Sequence, residues 1–139
     1  MARRGRRRTK RTVYEETSRR MLRDALFLLR HRRWHSAVYL AGYTVECRLK
    51  AAVCQFLNQK TLPSEFQTHN LWALIVGAGL EQNMESDPQI GTYFDYIESL
   101  WDVEIRYAGK TYGRNEAEKF LDAVGRFVRW LNTIFSQRM

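Results

Sequence analysis

The spacing of apolar side chains constrains this 139-residue chain more than any other feature, because it follows the period of an α-helix in five successive stretches. No stretch alternates with the period of two that marks a half-buried strand. Only two prolines, Pro63 and Pro88, interrupt the chain. The sequence therefore predicts an all-α bundle of about five helices with short connections, over residues 13–33, 34–57, 68–76, 91–106 and 115–136.

The second predicted helix is rich in small residues, which allow a neighbouring helix to approach closely, so we expect it at the centre of the bundle. Cys47 and Cys54 lie in this helix, seven residues apart. That separation is about 10 Å along a helix axis, too far for a disulfide. We therefore expect two buried, reduced thiols. The small residues are Ala37, Ala41, Gly42, Ala51 and Ala52.

The net charge of +8 is concentrated at one end of the chain. Seven of the 23 basic side chains and none of the 15 acidic ones fall within residues 3–11. The sequence thus predicts a flexible basic tail over residues 1–12 and a nearly neutral helical body over residues 13–139. Such a tail can bind nucleic-acid phosphates without sequence preference, or it can be a solvated extension with no binding role. Its bases are Arg3, Arg4, Arg6, Arg7, Arg8, Lys10 and Arg11.

Several common features of other protein classes are missing from the sequence. The basic start is not followed by the apolar segment of a secretory signal, and no apolar run approaches the roughly 20 residues of a membrane span. The three histidines are not spaced as metal ligands, and no phosphate-binding glycine loop occurs. We therefore expect a cytoplasmic protein that contacts no membrane and needs neither a metal nor a cofactor.

Glu46 is the first candidate functional residue, because it lies in the middle of the otherwise apolar second helix. Two interpretations are open. The carboxylate faces inward and serves a site, or it pairs with Lys50 one turn later on a solvated helix face.

His69 opens the third predicted helix, for which Thr68 is the expected N-cap. A histidine at this position serves more often as a structural hydrogen-bonding group than as a catalyst.

A cluster of cations and tyrosines follows the fourth predicted helix. Arg106, Tyr107, Lys110 and Tyr112 surround one glycine-containing loop, and Arg114 comes directly after it. Arginine binds phosphate through two parallel hydrogen bonds, so this loop is a candidate phosphate site. The alternative is a helix C-terminus whose cations complement the helix dipole.

In the order and spacing of these motifs, the sequence resembles the HEPN family, the higher eukaryotes and prokaryotes nucleotide-binding domain, over about residues 15–135. The resemblance implies an antiparallel helical bundle, often a homodimer with a groove between the protomers. It also implies either a metal-independent ribonuclease or a non-catalytic module that binds nucleotide or RNA, in some cases beside a nucleotidyltransferase-like partner. The matching segments are residues 34–43, 45–51, 68–71, 106–107 and 117–124.

One family feature is missing from the sequence. The ribonuclease members carry an arginine followed four to six residues later by a histidine, and Arg106 matches that arginine. Residues 111–113, where the histidine is expected, are Thr, Tyr and Gly, and no histidine follows His69. Without a histidine that titrates near pH 7, there is no ready base for the 2′-hydroxyl proton of RNA.

We therefore predict a non-catalytic nucleotide- or RNA-binding module of a toxin–antitoxin or anti-phage defence system. Its phosphate or nucleotide site would consist of Arg106, Lys110, Tyr107, Tyr112 and Glu46. The first alternative is a metal-independent ribonuclease toxin, in which Arg106, Glu46 and Tyr112 would be catalytic. The second alternative is a structural adaptor subunit of a larger complex.

Overall fold

Six α-helices account for most of the residues that the computed structural model describes, which are residues 8–101 and 111–135. The all-α prediction is confirmed. Across the described residues, no helix has both the length and the apolar character needed to cross a bilayer. The helices are α1 (Arg11–Arg30), α2 (Trp34–Phe56), α3 (Leu71–Gly77), α4 (Glu81–Glu85), α5 (Pro88–Leu100) and α6 (Arg114–Phe135), with one 3-10 turn at Ser64–Phe66 before α3.

Helices α1 and α2 form an antiparallel hairpin. Arg32 adopts a left-handed conformation with φ of 61°, and the amide of Arg33 donates back to the carbonyl of Leu28 at 2.9 Å. These contacts end α1 at Arg30, earlier than the periodicity predicts, and allow α2 to return along it.

The start of α1 is held against the loop that follows α2. The amide of Arg11 donates to the carbonyl of Lys60 at 2.9 Å, and the amide of Leu62 donates to the carbonyl of Thr9 at 3.1 Å. Helix α1 therefore begins inside the stretch assigned to the flexible tail, and residues 9–11 pack on the helical body.

Helix α2 is the central helix, as predicted. Every residue from 44 to 54 is buried, because α1, α3 and α6 all pack against it. Three charged side chains are included in this buried stretch, namely Glu46, Arg48 and Lys50. Burial of a charge is costly unless it is paired, so these three residues are the first place to look for function.

The segment between α2 and α5 differs from the prediction in two ways. The side chain of Asn70, not Thr68, caps α3 by accepting a hydrogen bond from the amide of Ala73 at 3.1 Å. Helix α4 was not predicted, because its five residues are too few to show a periodic apolar stripe.

Helix α5 begins earlier than predicted, since Asp87 caps it and Pro88 is its first residue. The helix ends at Leu100, and the backbone of Trp101 has an extended conformation. The apolar pattern predicts a longer helix that ends at Arg106. The remainder of that predicted helix, residues 102–106, lies outside the described residues.

Helix α6 closes the bundle by packing on α2 and α5. Its bounds agree with the prediction to within one residue, and Ser136 lies outside the described residues. A continuous buried stripe faces the core, formed by Ala117, Phe120, Leu121, Val124, Phe127, Leu131 and Phe135.

Candidate functional site

One side of α2 carries a row of polar and aromatic side chains, which we call the α2 polar stripe and define as His35, Tyr39, Tyr43, Glu46 and Lys50. The spacings of three and four residues place all five side chains on the same side of the helix. The first three are half-buried and the last two are buried. The stripe thus runs from a partly accessible aromatic end to a buried ionic end.

Glu46 holds the ionic end of the stripe together. One carboxylate oxygen, Oε2, accepts a hydrogen bond from Nζ of Lys50 at 3.0 Å. The other oxygen, Oε1, lies 2.7 Å from Nδ1 of His69. Glu46 therefore faces inward and also pairs with Lys50, which combines the two interpretations left open by the sequence.

His69 reaches Glu46 from the residue before the N-cap of α3. An ionised carboxylate only accepts hydrogen bonds, so this contact places the ring proton on Nδ1 and leaves Nε2 for other partners. The side chain of His69 is 57% exposed, whereas that of Glu46 is 4% exposed. A buried carboxylate that orients a half-exposed imidazole is an arrangement suited to proton transfer.

An aromatic cluster adjoins this pair. The ring of Tyr43 meets the rings of His69 and Trp101 edge-on, with centroid distances of 6.2 and 5.1 Å. Nε1 of Trp101 donates to the carbonyl of Tyr39 at 2.9 Å, and the hydroxyls of Tyr39 and Tyr43 are 3.4 Å apart. Trp101, the residue after α5, is thereby fixed against the middle of the stripe.

Tyr112 lies at the other end of the stripe. Its ring stacks on His35 with a centroid distance of 5.3 Å, and its hydroxyl donates to the carbonyl of Leu100. Residues 102–110, between Trp101 and Thr111, lie outside the described residues, and they include the predicted site residues Arg106, Tyr107 and Lys110. The structure thus describes two of the five predicted site residues: Glu46, which belongs to the α2 polar stripe, and Tyr112, which contacts the stripe at His35.

The basic tail is described only in part. Arg3, Arg4, Arg6 and Arg7 lie outside the described residues. Arg8 and Lys10 are exposed, and Arg11 pairs with Glu15 within α1, with Nε of Arg11 3.4 Å from Oε1 of Glu15. Part of the predicted phosphate-binding charge is thus neutralised within the bundle.

The two cysteines are buried and free, as expected. Burial, together with the neighbouring carboxylate of Glu46, raises the pKa of Cys47 from its usual 9.0 to about 11. Among the described residues, no group of three or more His, Cys, Asp or Glu side chains is placed to hold a metal ion. The raised pKa disfavours a nucleophilic thiolate at Cys47.

The predicted site did not include the aromatic residues Tyr39, Tyr43 and Trp101, and His69 was considered separately from Glu46. The spacing of His35, Tyr39, Tyr43, Glu46 and Lys50 could have revealed the stripe. No sequence signal could have revealed that His69 meets Glu46, because the two residues are 23 positions apart and belong to different elements.

A family model describing the HEPN domain matches residues 14–134 of the chain. No curated protein and no solved structure matches the chain.

Proposed function

Because the chain belongs to the HEPN family, a family with nucleotide- or RNA-related function, we propose that it is a nucleotide- or RNA-binding module that binds along the α2 polar stripe. One observation carries the proposal: the buried Glu46 orients a half-exposed His69 beside a cluster of aromatic rings. Polar groups and aromatic faces at one surface are the combination that proteins use to hold unpaired bases.

The aromatic end of the stripe supplies surfaces for a base. Tyr39 and Tyr43 are half-buried and are held in place by Trp101 and by each other. Stacking of a base on an aromatic side chain contributes about 1–3 kcal/mol and does not depend on the base. His69, held by Glu46, adds a hydrogen-bonding group next to these rings.

The phosphate contacts in this proposal come from Arg106 and Lys110, with Tyr107 and Tyr112 beside them. The segment that carries them joins Trp101 to Thr111, and Trp101 and Tyr112 both contact the stripe. The proposal is supported by these two flanking contacts, because Arg106 is only five residues from Trp101 in the sequence. In this proposal the module forms a homodimer or pairs with a nucleotidyltransferase-like protein in a toxin–antitoxin or anti-phage system.

The binding experiment uses the full-length protein and the variant Arg106→Ala. Fluorescence anisotropy with a labelled single-stranded RNA, and titration with nucleotides, are carried out at two salt concentrations. We expect Arg106→Ala to weaken binding and to reduce its salt dependence. Arg129→Ala, which removes the same charge from an exposed position on α6, is the control. Equal affinities for Arg106→Ala and the unmodified protein would remove Arg106 from the site.

The Glu46–His69 pair also favours a second candidate function, metal-independent cleavage of RNA. A linear search for an arginine followed by a histidine misses His69, because His69 precedes Arg106 in the sequence. In this mechanism Nε2 of His69 takes the 2′-hydroxyl proton, and Glu46 stabilises the imidazolium that forms. The 2′-oxygen bonds to phosphorus, the bond from phosphorus to the 5′-oxygen breaks, and the 5′-oxygen takes a proton from water, which leaves a 2′,3′-cyclic phosphate. Arg106 stabilises the charge that develops on the phosphate.

Incubation of the protein with transfer RNA and total RNA in the presence of a chelator distinguishes the two functions. Cleavage that His69→Gln and Arg106→Ala both abolish, and that His31→Gln leaves intact, would favour the ribonuclease. His31 is a suitable control because it is exposed at the end of α1, where it stacks on Phe27. RNA binding without cleavage would favour the non-catalytic module.

A further inference from the structure

A cleft of about 450 Å³ lies between α1, α2 and α6, and we call it the α1–α2–α6 cleft. Glu46 and Arg48 are two residues apart on α2, so their side chains leave the helix in nearly opposite directions. The cleft therefore lies on the other side of α2 from the α2 polar stripe. Its polar walls are formed by Glu15, Ser18, Arg19, Arg48, Gln55 and Asn132.

Arg48 is the unusual member of these walls, because it is a buried cation that has no carboxylate partner among the residues that the structure describes. It is 8% exposed. Nε donates to Oδ1 of Asn132 at 2.9 Å, but Nη1 is buried and has no hydrogen-bond partner within residues 8–101 and 111–135. In the same part of the chain, no carboxylate oxygen lies within 4.0 Å of its guanidinium nitrogens.

This arrangement is costly for the folded protein. Burial lowers the pKa of Arg48, and the carboxylate of Glu15 opposes that shift only from a distance. A buried charge is tolerated when an opposite charge and additional hydrogen bonds compensate for its lost hydration. Among the described residues, the partners of the guanidinium are uncharged: the amide oxygen of Asn132, and the ring of Phe135, whose centroid lies 6.0 Å from Cζ. The wall of the cleft therefore has unused capacity for an anion.

The other residues of the cleft indicate what kind of anion would fit. Arg19 is exposed at the rim and adds a second cation, while Glu15 adds one negative charge, so the three ionised groups sum to a single positive charge. Leu22 and Val128 complete the walls with apolar surface. A volume of this size lies within the range of small-molecule sites.

We propose that the α1–α2–α6 cleft binds a small organic oxyanion, a molecule with one carboxylate or phosphate group and an apolar body. The oxyanion meets Arg48, and Arg19 attracts it at the rim. The apolar body lies against Leu22 and Val128. This site is separate from the proposed nucleic-acid surface, so either proposal can fail without the other.

The test uses the full-length protein and three probes that share one ring: benzoate, phenyl phosphate and the uncharged benzamide. Isothermal titration calorimetry is performed at constant ionic strength, set with sodium chloride. We expect saturable binding of benzoate, phenyl phosphate or both, and no saturable binding of benzamide. Binding of benzoate alone would identify a carboxylate ligand, and binding of phenyl phosphate alone would identify a phosphate ester.

Matched arginine variants assign the binding to the cleft. Arg19→Gln should raise the dissociation constant about three- to fivefold, the effect of losing one ion pair at a rim. Arg20→Gln removes the same charge from the next residue of α1, which does not line the cleft, and should have no effect. Arg48→Gln should abolish saturable binding, and if that variant does not fold, the comparison of Arg19→Gln with Arg20→Gln decides alone. Absence of saturable anion binding, or equal effects of the two rim variants, would overturn the proposal.

Discussion

At the scale of single residues, the chemistry of α2 is governed by which neighbours compensate for burial. Glu46 and Lys50 are both buried, but they neutralise each other, and His69 occupies the remaining carboxylate oxygen. Among the described residues, the guanidinium of Arg48, two residues from Glu46, has uncharged partners, the amide oxygen of Asn132 and the ring of Phe135. Three charges on the same buried stretch thus differ in how far their neighbours compensate for burial.

Cys47 gives a pH-dependent prediction at this scale. Burial raises the pKa of its thiol from 9.0 to about 11, so the folded protein retains a proton that the unfolded chain loses above pH 9. The resulting stabilisation is fully present below pH 9 and is lost as the pH rises towards 11. A shift of this size corresponds to about 2–3 kcal/mol in the free energy of unfolding.

Urea unfolding of the protein and of Cys47→Ala between pH 8 and pH 10.5 measures this contribution. The free energy of unfolding should fall more steeply with pH for the unmodified protein than for Cys47→Ala. Parallel pH profiles would mean that Cys47 does not release its proton on unfolding in this range.

At the scale of elements, close contact between α2 and the end of α5 depends on Gly42. A Cβ atom at this position would overlap the indole ring of Trp101. Gly42→Ala should therefore displace Trp101 and lower the free energy of unfolding by about 1–3 kcal/mol. Chemical unfolding followed by tryptophan fluorescence measures both effects.

Gly125→Ala is the matched control for that substitution. A Cβ atom at Gly125, within α6, would meet no atom of the described residues within 4 Å. The same chemical change should then raise the free energy of unfolding by about 0.5–1 kcal/mol through helix propensity. If both alanine variants changed the free energy of unfolding in the same direction, the contact between Gly42 and Trp101 would not explain the effect of Gly42→Ala.

The start of α3 gives a second prediction for an element. Asn70→Ala removes the acceptor for the amide of Ala73 and should lower the free energy of unfolding by about 1 kcal/mol. Asn70→Ser keeps an acceptor and should retain most of the stability. Asn83→Ala, at an exposed position within α4, should be close to neutral in the same thermal or urea unfolding experiment.

At the scale of the whole molecule, the uneven charge distribution predicts how nucleic-acid binding depends on salt. Deletion of residues 2–7 removes Arg3, Arg4, Arg6 and Arg7 and leaves the start of α1 at Arg11 intact. If these arginines contact RNA, the slope of log affinity against log salt should decrease in magnitude by about 3, at roughly 0.7 for each lost contact with a single strand. Thermal stability should not change.

A full-length variant with the same four arginines replaced by glutamine controls for chain length in that experiment. Its salt slope should equal that of the deletion variant. An unchanged slope in both variants would identify the first residues as a solvated extension that makes no phosphate contact.

Much of the fold could be predicted from the sequence, because apolar spacing is a local property of the chain. The extent of α6 followed directly from that spacing, and the central position of α2 followed from its small residues. Helix α4 was not predicted, because five residues are too few to show a helical period. The N-cap of α3 was assigned to Thr68 because Thr68 and Asn70 both have suitable side chains. Arg106, Tyr107 and Lys110 lie outside the described residues, so their phosphate contacts stay predictions.

The sequence by itself determined the helical class and the central helix, and it identified Glu46 as a charge in an apolar segment. Only the tertiary structure decided that Glu46 meets His69, that Trp101 packs on Gly42 and that Arg48 is buried at the wall of a cleft. The physical reason is the range of the interactions. Helix formation depends on residues three or four positions apart, whereas each of these contacts joins distant parts of the chain that meet only when the helices pack.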